Sequence, residues 1–501
     1  MIKKIVARIF EVCSVDIRSL ALMRIATAIA LLVDLIVRLV NLKAHYTDEG
    51  ILPLEALFRY AWQQYHFSFY TMGHVWQWQL FLFLLNFICI IFLLIGYRTK
   101  LFTILCWLFI ISIHNRNPLI HQGGDDLLRL ILFWAIFLPW GYYYSVDAEI
   151  YPRQNLPYKY TSMAVLGYIL QVMYVYIFSA FLKNAPEWNG EFTALYYALS
   201  FDQIVLGPGK WIYPHYDFLK LMTRSVYYIE LVVPFFLLIP WFTNFFRVLF
   251  LVIMTLLHIG ISISLNVGLF PLIAITSMVA LIPGNYLKFI NKIKFNVNWK
   301  NSLVVKILQL RSNGILYPKE HFIITNICLF FIFYTFSWNI GTLGKKPILS
   351  TGPLEWIGHF FRVDQHWGMF APAVFKDDGW FIFEAEKVNS KKIDILNNDT
   401  LFNLQRPQEI PSLFKSDRWR KYSENFLFVV NGHYRLYFCF YILNNWNNQN
   451  PDSEKLRALK IHYVKEVSLP NYQTGSPLKE QLCTCELYPP KNVTDTVNIK
   501  K

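Results

Sequence analysis

The sequence predicts an all-α polytopic membrane bundle of nine transmembrane helices followed by a small β-rich extracytoplasmic domain. Three observations predict it. Apolar residues make up 55% of the 501-residue chain and charged residues 16%, against about 25% in ordinary soluble domains, and the mean hydropathy is +0.33. Apolar runs long enough to cross a bilayer recur between residues 19 and 340. From Gly341 onward the runs shorten and alternate with polar residues, as strands do.

The candidate spans are 19–42, 76–97, 101–118, 124–141, 163–183, 226–242, 247–265, 268–287 and 321–340, with the closest spacings at 97–101 and 265–268. Pro53 to His74 is aromatic and amphipathic, and reads as an interfacial or capping segment rather than a crossing. The opening MIKKIVARIF is basic and then apolar, without a small-residue cleavage site, so it reads as an amphipathic cytoplasmic lead-in and not a cleaved signal peptide.

The net charge is +14, and its basic residues gather in short loops. Lys3, Lys4 and Arg8 precede the first run, Arg98 and Lys100 follow the second, and Arg153 and Lys159 follow the fourth. Lys288, Lys292, Lys294, Lys300, Lys306 and Arg311 lie between the eighth and ninth. With nine spans all of these fall on one side, which the positive-inside rule makes cytoplasmic. The N-terminus is then cytoplasmic and the C-terminal part extracytoplasmic. Loop-borne charge of this kind lacks the basic face on a recognised fold that nucleic-acid binding needs, so the expected surroundings are a lipid bilayer and no nucleic acid.

Two parts follow, a membrane domain at 1–340 and a C-terminal domain at 341–501. In the second, GWFIFEAE and YRLYFCFYIL read as strands, with turns at Asn397-Asn398-Asp399 and Asn431-Gly432. The seven cysteines show no zinc spacing. Cys439, Cys483 and Cys485 fall in the part placed outside, where disulfides form, and their odd number leaves the pairing open.

Ionisable residues inside membrane segments are costly and mark candidate sites. Arg24, Asp34 and Arg38 lie in the first run, with Asp34 and Arg38 four apart on one helix face. Asp125, Asp126 and Arg129 open the fourth, Glu230 lies early in the sixth, and His258 midway in the seventh. The acid–arginine pairs read as structural locks between helices, whereas Glu230 and His258 have no partner on their own helix. Lys183 closes the fifth run and is followed by Pro186, Glu187 and Trp188. Two readings stand open for it: a stop charge reaching the interface, or a partly desolvated amine able to take a proton. Gln171, Tyr174 and Tyr176 add polar groups to the same helix.

Several stretches recur in one order: YTDEGILP (46–53), IGYRTK (95–100), GGDDLLR and FLPWGYYYSVD within 123–147, and YVYIFSAFLKNAPEWNG (174–190). Then come His258 ten residues before GLFP (268–271), QHWGMFAP (365–372) and SDRWRKY (416–422). The ordered set resembles the horizontally transferred transmembrane (HTTM) domain proteins, relatives of vitamin K-dependent γ-glutamyl carboxylase. The resemblance implies a multi-helix membrane core with an extracytoplasmic C-terminal part, set in a bacterial inner membrane. In the carboxylase a lysine deprotonates vitamin K hydroquinone. Oxygen then carries the quinol toward its epoxide through a strong base that removes a glutamate γ-proton, and carbon dioxide adds. By resemblance Lys183 takes the place of that lysine, with His258 and His121 as further catalytic candidates. Trp188, Tyr174, Tyr176 and Gln171 become candidates to line a quinone pocket.

The expected cofactor is reduced vitamin K or menaquinone, with no metal-ligand spacing and no nucleotide motif. The enzyme reading is a carbon–carbon lyase coupled to quinol epoxidation. The animal enzyme carries a much larger lumenal region for substrate recognition, which residues 341–501 do not match. The other reading is a non-catalytic membrane protein that matures or exports a secreted peptide, as one HTTM-like branch implies, or a lipid-binding scaffold. A transporter fits less well, because no paired Gly/Pro-broken helices recur in two matching halves.

Overall fold

Uninterrupted runs of leucine, isoleucine and phenylalanine satisfy their own backbone groups as helices, the form an apolar solvent demands. The computed structural model describes residues 8, 11–151, 158–288, 322–350, 352–396, 406–407, 410 and 414–487. In chain order its main helices are α1 (Ile17–Leu39), α2 (Trp76–Ile95), α3 (Thr99–Arg116), α4 (Gly123–Ala135), α5 (Met163–Leu182), α6 (Tyr216–Val232), α7 (Thr243–Ser264), α8 (Phe270–Met278) and α9 (Phe322–Thr342).

Among the described residues, six helices are long and apolar enough to cross a membrane: α1, α2, α5, α6 extended by a 3-10 turn to Leu238, α7 and α9. A sharply bent pair, α10 (Asp417–Leu427) with Val429–Gln449, brings the number to seven if it counts as one crossing. The chain is thus a membrane protein with six or seven such helices among the described residues, and nine spans are not confirmed. The shortfall lies at α3, α4 and α8. The 13-residue α4 is buried along almost its whole length, and the nine-residue α8 is mostly buried as well. The α3 helix ends in the buried polar run Ser112, His114, Asn115 and Arg116. The apolar character of α4 answers largely to protein neighbours.

Packing places α1 against α2 and α8, α4 against α3 and α8, α5 against α6 and α9, and α7 against α8. Gly124 permits the close approach of α4 to α8, because a Cβ there would lie 3.1 Å from the Phe270 Cα. The segment 53–74 holds a seven-residue helix, Leu54–Tyr60, and a 3-10 turn, Phe69–Thr71, neither long enough to cross a membrane. A small antiparallel pair, β1 (Ser14–Asp16) with β2 (Lys159–Thr161), closes the N-terminal end of the bundle.

The C-terminal part holds a four-stranded antiparallel sheet of β3 (Asp377–Lys387), β4 (Lys392–Asp394), β5 (Leu456–Val467) and β6 (Leu478–Glu486) in the order β4-β3-β5-β6. GWFIFEAE lies in β3, with Ile382 opposite His462 of β5. YRLYFCFYIL is not a strand. It forms most of α11 (Arg435–Gln449), whose buried Phe438, Cys439 and Leu443 face β5 and β6. Its near-continuous aromatics read equally well at either period, and the partner sheet decides the matter. Cys439 and Cys485 form a disulfide, leaving Cys483 free. Asn431-Gly432 lies in a 3-10 turn between α10 and α11. Asn397-Asn398-Asp399, Lys3, Lys4, Arg153, Lys292, Lys294, Lys300, Lys306 and Arg311 lie outside the described residues.

The two parts are joined through buried charge. Arg38 of α1 donates to Asp34 at 2.7 Å and to Asp125 of α4 at 2.6 Å. Arg418 of α10 reaches the same acids, giving 2.7 Å to Asp34 and 2.5 and 2.7 Å to Asp125. Two carboxylates and two guanidiniums thereby cancel in a site where each residue is at most 4% exposed. Removing one member strands an unpaired charge, a loss of about 3–5 kcal/mol in buried pairs. Arg418→Ala should therefore lower the melting temperature of the detergent-purified protein by several degrees. Arg420→Ala, which removes only local pairs to Asp417 and Glu424, should shift it much less.

Candidate functional site

Lys183 follows the last residue of α5, so its amine projects where the helix ladder ends. It is 3% exposed. Its Nζ donates to Glu230 of α6 in a close ion pair and to Ser179 Oγ one turn earlier at 3.0 Å. The Trp188 ring lies over it, with its centroid 4.7 Å from Nζ. That turn is held in place from outside. Trp188 Nε1 donates to the Phe370 carbonyl at 2.8 Å and the Ala185 amide to that of Pro372 at 3.3 Å, while Lys376 pairs with Glu187 at 2.6 Å. The motifs KNAPEWNG and QHWGMFAP, far apart in sequence, therefore form one assembly.

Glu230 and His258, which had no partner on their own helices, both find one on α5. Glu230 takes Lys183, and Tyr176 Oη meets His258 Nε2 at 2.9 Å. The other ring nitrogen of His258 is buried without a partner among the described residues. Residues 176, 179 and 183 fall on one face of α5 at helical spacing, so the tyrosine–histidine pair lies about 10 Å along the axis from the amine. Around Glu230, Tyr228 and Val232 are exposed, as are Leu256 and Ile259 around His258. The opposite faces of α6 and α7 are thus apolar and exposed.

Gln171 and Tyr174 lie on the opposite face. Gln171 donates to Gln365 at 2.8 Å, and Tyr174 packs against Phe178 and Phe336 of α9. They do not share a wall with Lys183, Tyr176 and Trp188, because a helix turns positions 171 and 174 away from 176 and 183.

His121 belongs to a second cluster. Its ring lies 4.6 Å from that of His114, and its Nε2 lies 3.5 Å from both Asp126 and Arg129. Arg129 pairs with Asp126 at 2.6 Å and Asp364 at 3.3 Å, and donates to the Arg362 carbonyl at 2.9 Å. Burial alone would raise the Asp364 carboxyl. Arg129 and Arg362 outweigh it and hold Asp364 well below the usual carboxylate range. The ligand atoms of His114, His121 and Asp125 lie within 4.8 Å of one another, a metal-like spacing. The donor set is a poor match for a cation: Asp125 already accepts from Arg38, Arg418 and the Gln122 amide, and Arg129 faces His121. Arg24 donates to the Tyr144 carbonyl at 2.5 Å, away from both clusters.

Ser179, Asp364, Gln365 and Arg418 are the site residues that sequence reasoning missed. Ser179 carried a local signal, its four-residue spacing from Lys183, and Gln365 and Arg418 lie inside QHWGMFAP and SDRWRKY.

Set against protein-family models, curated proteins and solved structures, the chain matches none.

If the Lys183–Glu230 pair is a buried unit, Lys183→Met and Glu230→Gln should each destabilise by about 3–5 kcal/mol and the double variant by less than their sum. Thermal unfolding of the four proteins reads this coupling.

Proposed function

We propose that the chain is a quinol-dependent membrane enzyme of the carboxylase–epoxidase kind, with Lys183 as its base. One observation carries the reading: a buried lysine at the end of α5 is aimed by Ser179 and Glu230 and covered by Trp188. For proton abstraction to proceed, the Lys183 ammonium first passes a proton to Glu230. The freed amine then takes a proton from a quinol hydroxyl, and Glu230 releases the proton it received. Trp188 offers a ring face against which a quinol ring can stack. Tyr176 and His258 provide a second polar point about two helical turns away, suited to the far oxygen of the ring. The quinol itself, oxidised by oxygen, supplies the stronger base that a later carboxylation of glutamate requires.

The same reading puts the C-terminal sheet outside, in a bacterial inner membrane. Its support is the Cys439–Cys485 disulfide, a bond typical of oxidising compartments.

A second reading has its own observation. Lys183 and Glu230 neutralise each other completely, as in a purely structural lock, and such a protein would serve as a scaffold for a secreted peptide.

The experiment that separates the two is quinone epoxidation by the purified protein, supplied with reduced menaquinone or vitamin K and oxygen. Lys183→Ala should lower the rate by about 10²–10⁴-fold while the protein still inserts and folds. Epoxidation unchanged in that variant removes Lys183 from the chemistry, and none in the wild type favours the scaffold.

A further inference from the structure

At the end of the bundle that carries the N-terminus, a hollow of about 400 Å³ opens between β1, β2, the start of α7 and the turn at Pro283–Asn285. Its two acids are already neutralised. Asp16 is paired with Arg18 at 2.7 Å, and Glu11 with Lys159 at 2.7 Å. Arg18 also stacks on Tyr158, with its guanidinium carbon 4.1 Å from the ring centre. The charge left over is Arg247, which is 5% exposed. Its Nη2 donates to the Val12 carbonyl at 2.6 Å, and its Nε is buried with no partner among the described residues. A buried guanidinium with an unused donor is costly unless something accepts from it. The 22-residue α7 adds to the field, because its first turn opens on the same hollow without a side-chain cap.

A second hollow, of about 530 Å³, shares the walls Glu11, Thr243 and Asn244. Its rim is Trp241, Phe242 and Phe245, exposed by 58%, 82% and 61%. Arg8 lies on the same rim. Positive charge at depth beside an aromatic lip is the pattern of an amphiphile, polar at one end and apolar at the other.

We propose that the paired hollows bind an anionic phospholipid, with its phosphate at Arg247 and the uncapped start of α7 and its glycerol and acyl chains across Trp241, Phe242 and Phe245. A free phosphate would need only the first hollow, and the aromatic lip favours the lipid.

The test uses the full-length, delipidated protein in detergent and native mass spectrometry with phosphatidylglycerol, phosphatidylcholine or inorganic phosphate. Phosphatidylglycerol should bind at least about fivefold more tightly than phosphatidylcholine, the effect of one matched charge at a membrane surface. Arg247→Gln should abolish that preference and Arg247→Lys retain it. Because Arg247 also ties down Val12, Asn244→Asp serves as the second variant. It sets a carboxylate in the wall while leaving Arg247 in place, and should weaken phosphatidylglycerol about fivefold with an unchanged melting curve. Equal binding of the two lipids, or indifference to Asn244→Asp, overturns the proposal. So does inorganic phosphate binding as tightly as the lipid, which would make the site one for a free anion.

Discussion

Asp125 accepts from two arginines that come from opposite ends of the sequence, Arg38 of the first span and Arg418 of α10, and the rest of the architecture depends on that meeting. Charge inside an apolar bundle is tolerated only when paired and hydrogen-bonded, and here neither part of the chain can complete the pairing alone. Asp34 and Arg38 form a local pair, but Asp125 then needs a second cation to balance the set. Arg418 supplies it, and in doing so fixes α10 to the membrane helices. Asp125 also caps its own helix, accepting from the Gln122 amide at 2.8 Å, so the same carboxylate starts α4 and anchors the C-terminal part.

From that anchor the constraint passes to the lysine. Beside Asp125, Asp126 holds Arg129, and Arg129 holds the loop at Arg362 and Asp364. A few residues on, the same loop accepts from Trp188 and Ala185 and so fixes the turn that carries Lys183. The lysine is placed by a relay of paired charges and backbone contacts rather than by its own helix. A helix-end lysine free of such a relay would extend toward the interface.

Much of the membrane part was legible because apolar run length is a local signal. The runs that became α1, α2, α5, α7 and α9 stand out for that reason. The same signal does not separate α3, α4 and α8 from full crossings, since a segment enclosed by protein is as apolar as one enclosed by lipid. Arg116 and His114 at the end of α3 are the local clue against a lipid-facing crossing. The strand reading of YRLYFCFYIL failed because aromatics crowd both periods and only contact with the sheet fixes α11. The pairs Asp34–Arg38 and Asp126–Arg129 could be read from helical spacing. Lys183 with Glu230, Tyr176 with His258 and Arg418 with Asp125 could not, because their separations of 47, 82 and 293 residues follow from topology alone.

The measurement that tests the central claim most directly is hydrogen–deuterium exchange over 417–427 in the wild type and in Asp125→Asn. The account predicts slow exchange of α10 in the wild type and markedly faster exchange once Asp125 no longer pairs with Arg418, with the β3–β5 pairing unchanged in both. Equal protection of α10 in the two proteins would contradict it, and would mean that the C-terminal part is held to the bundle by something other than buried charge.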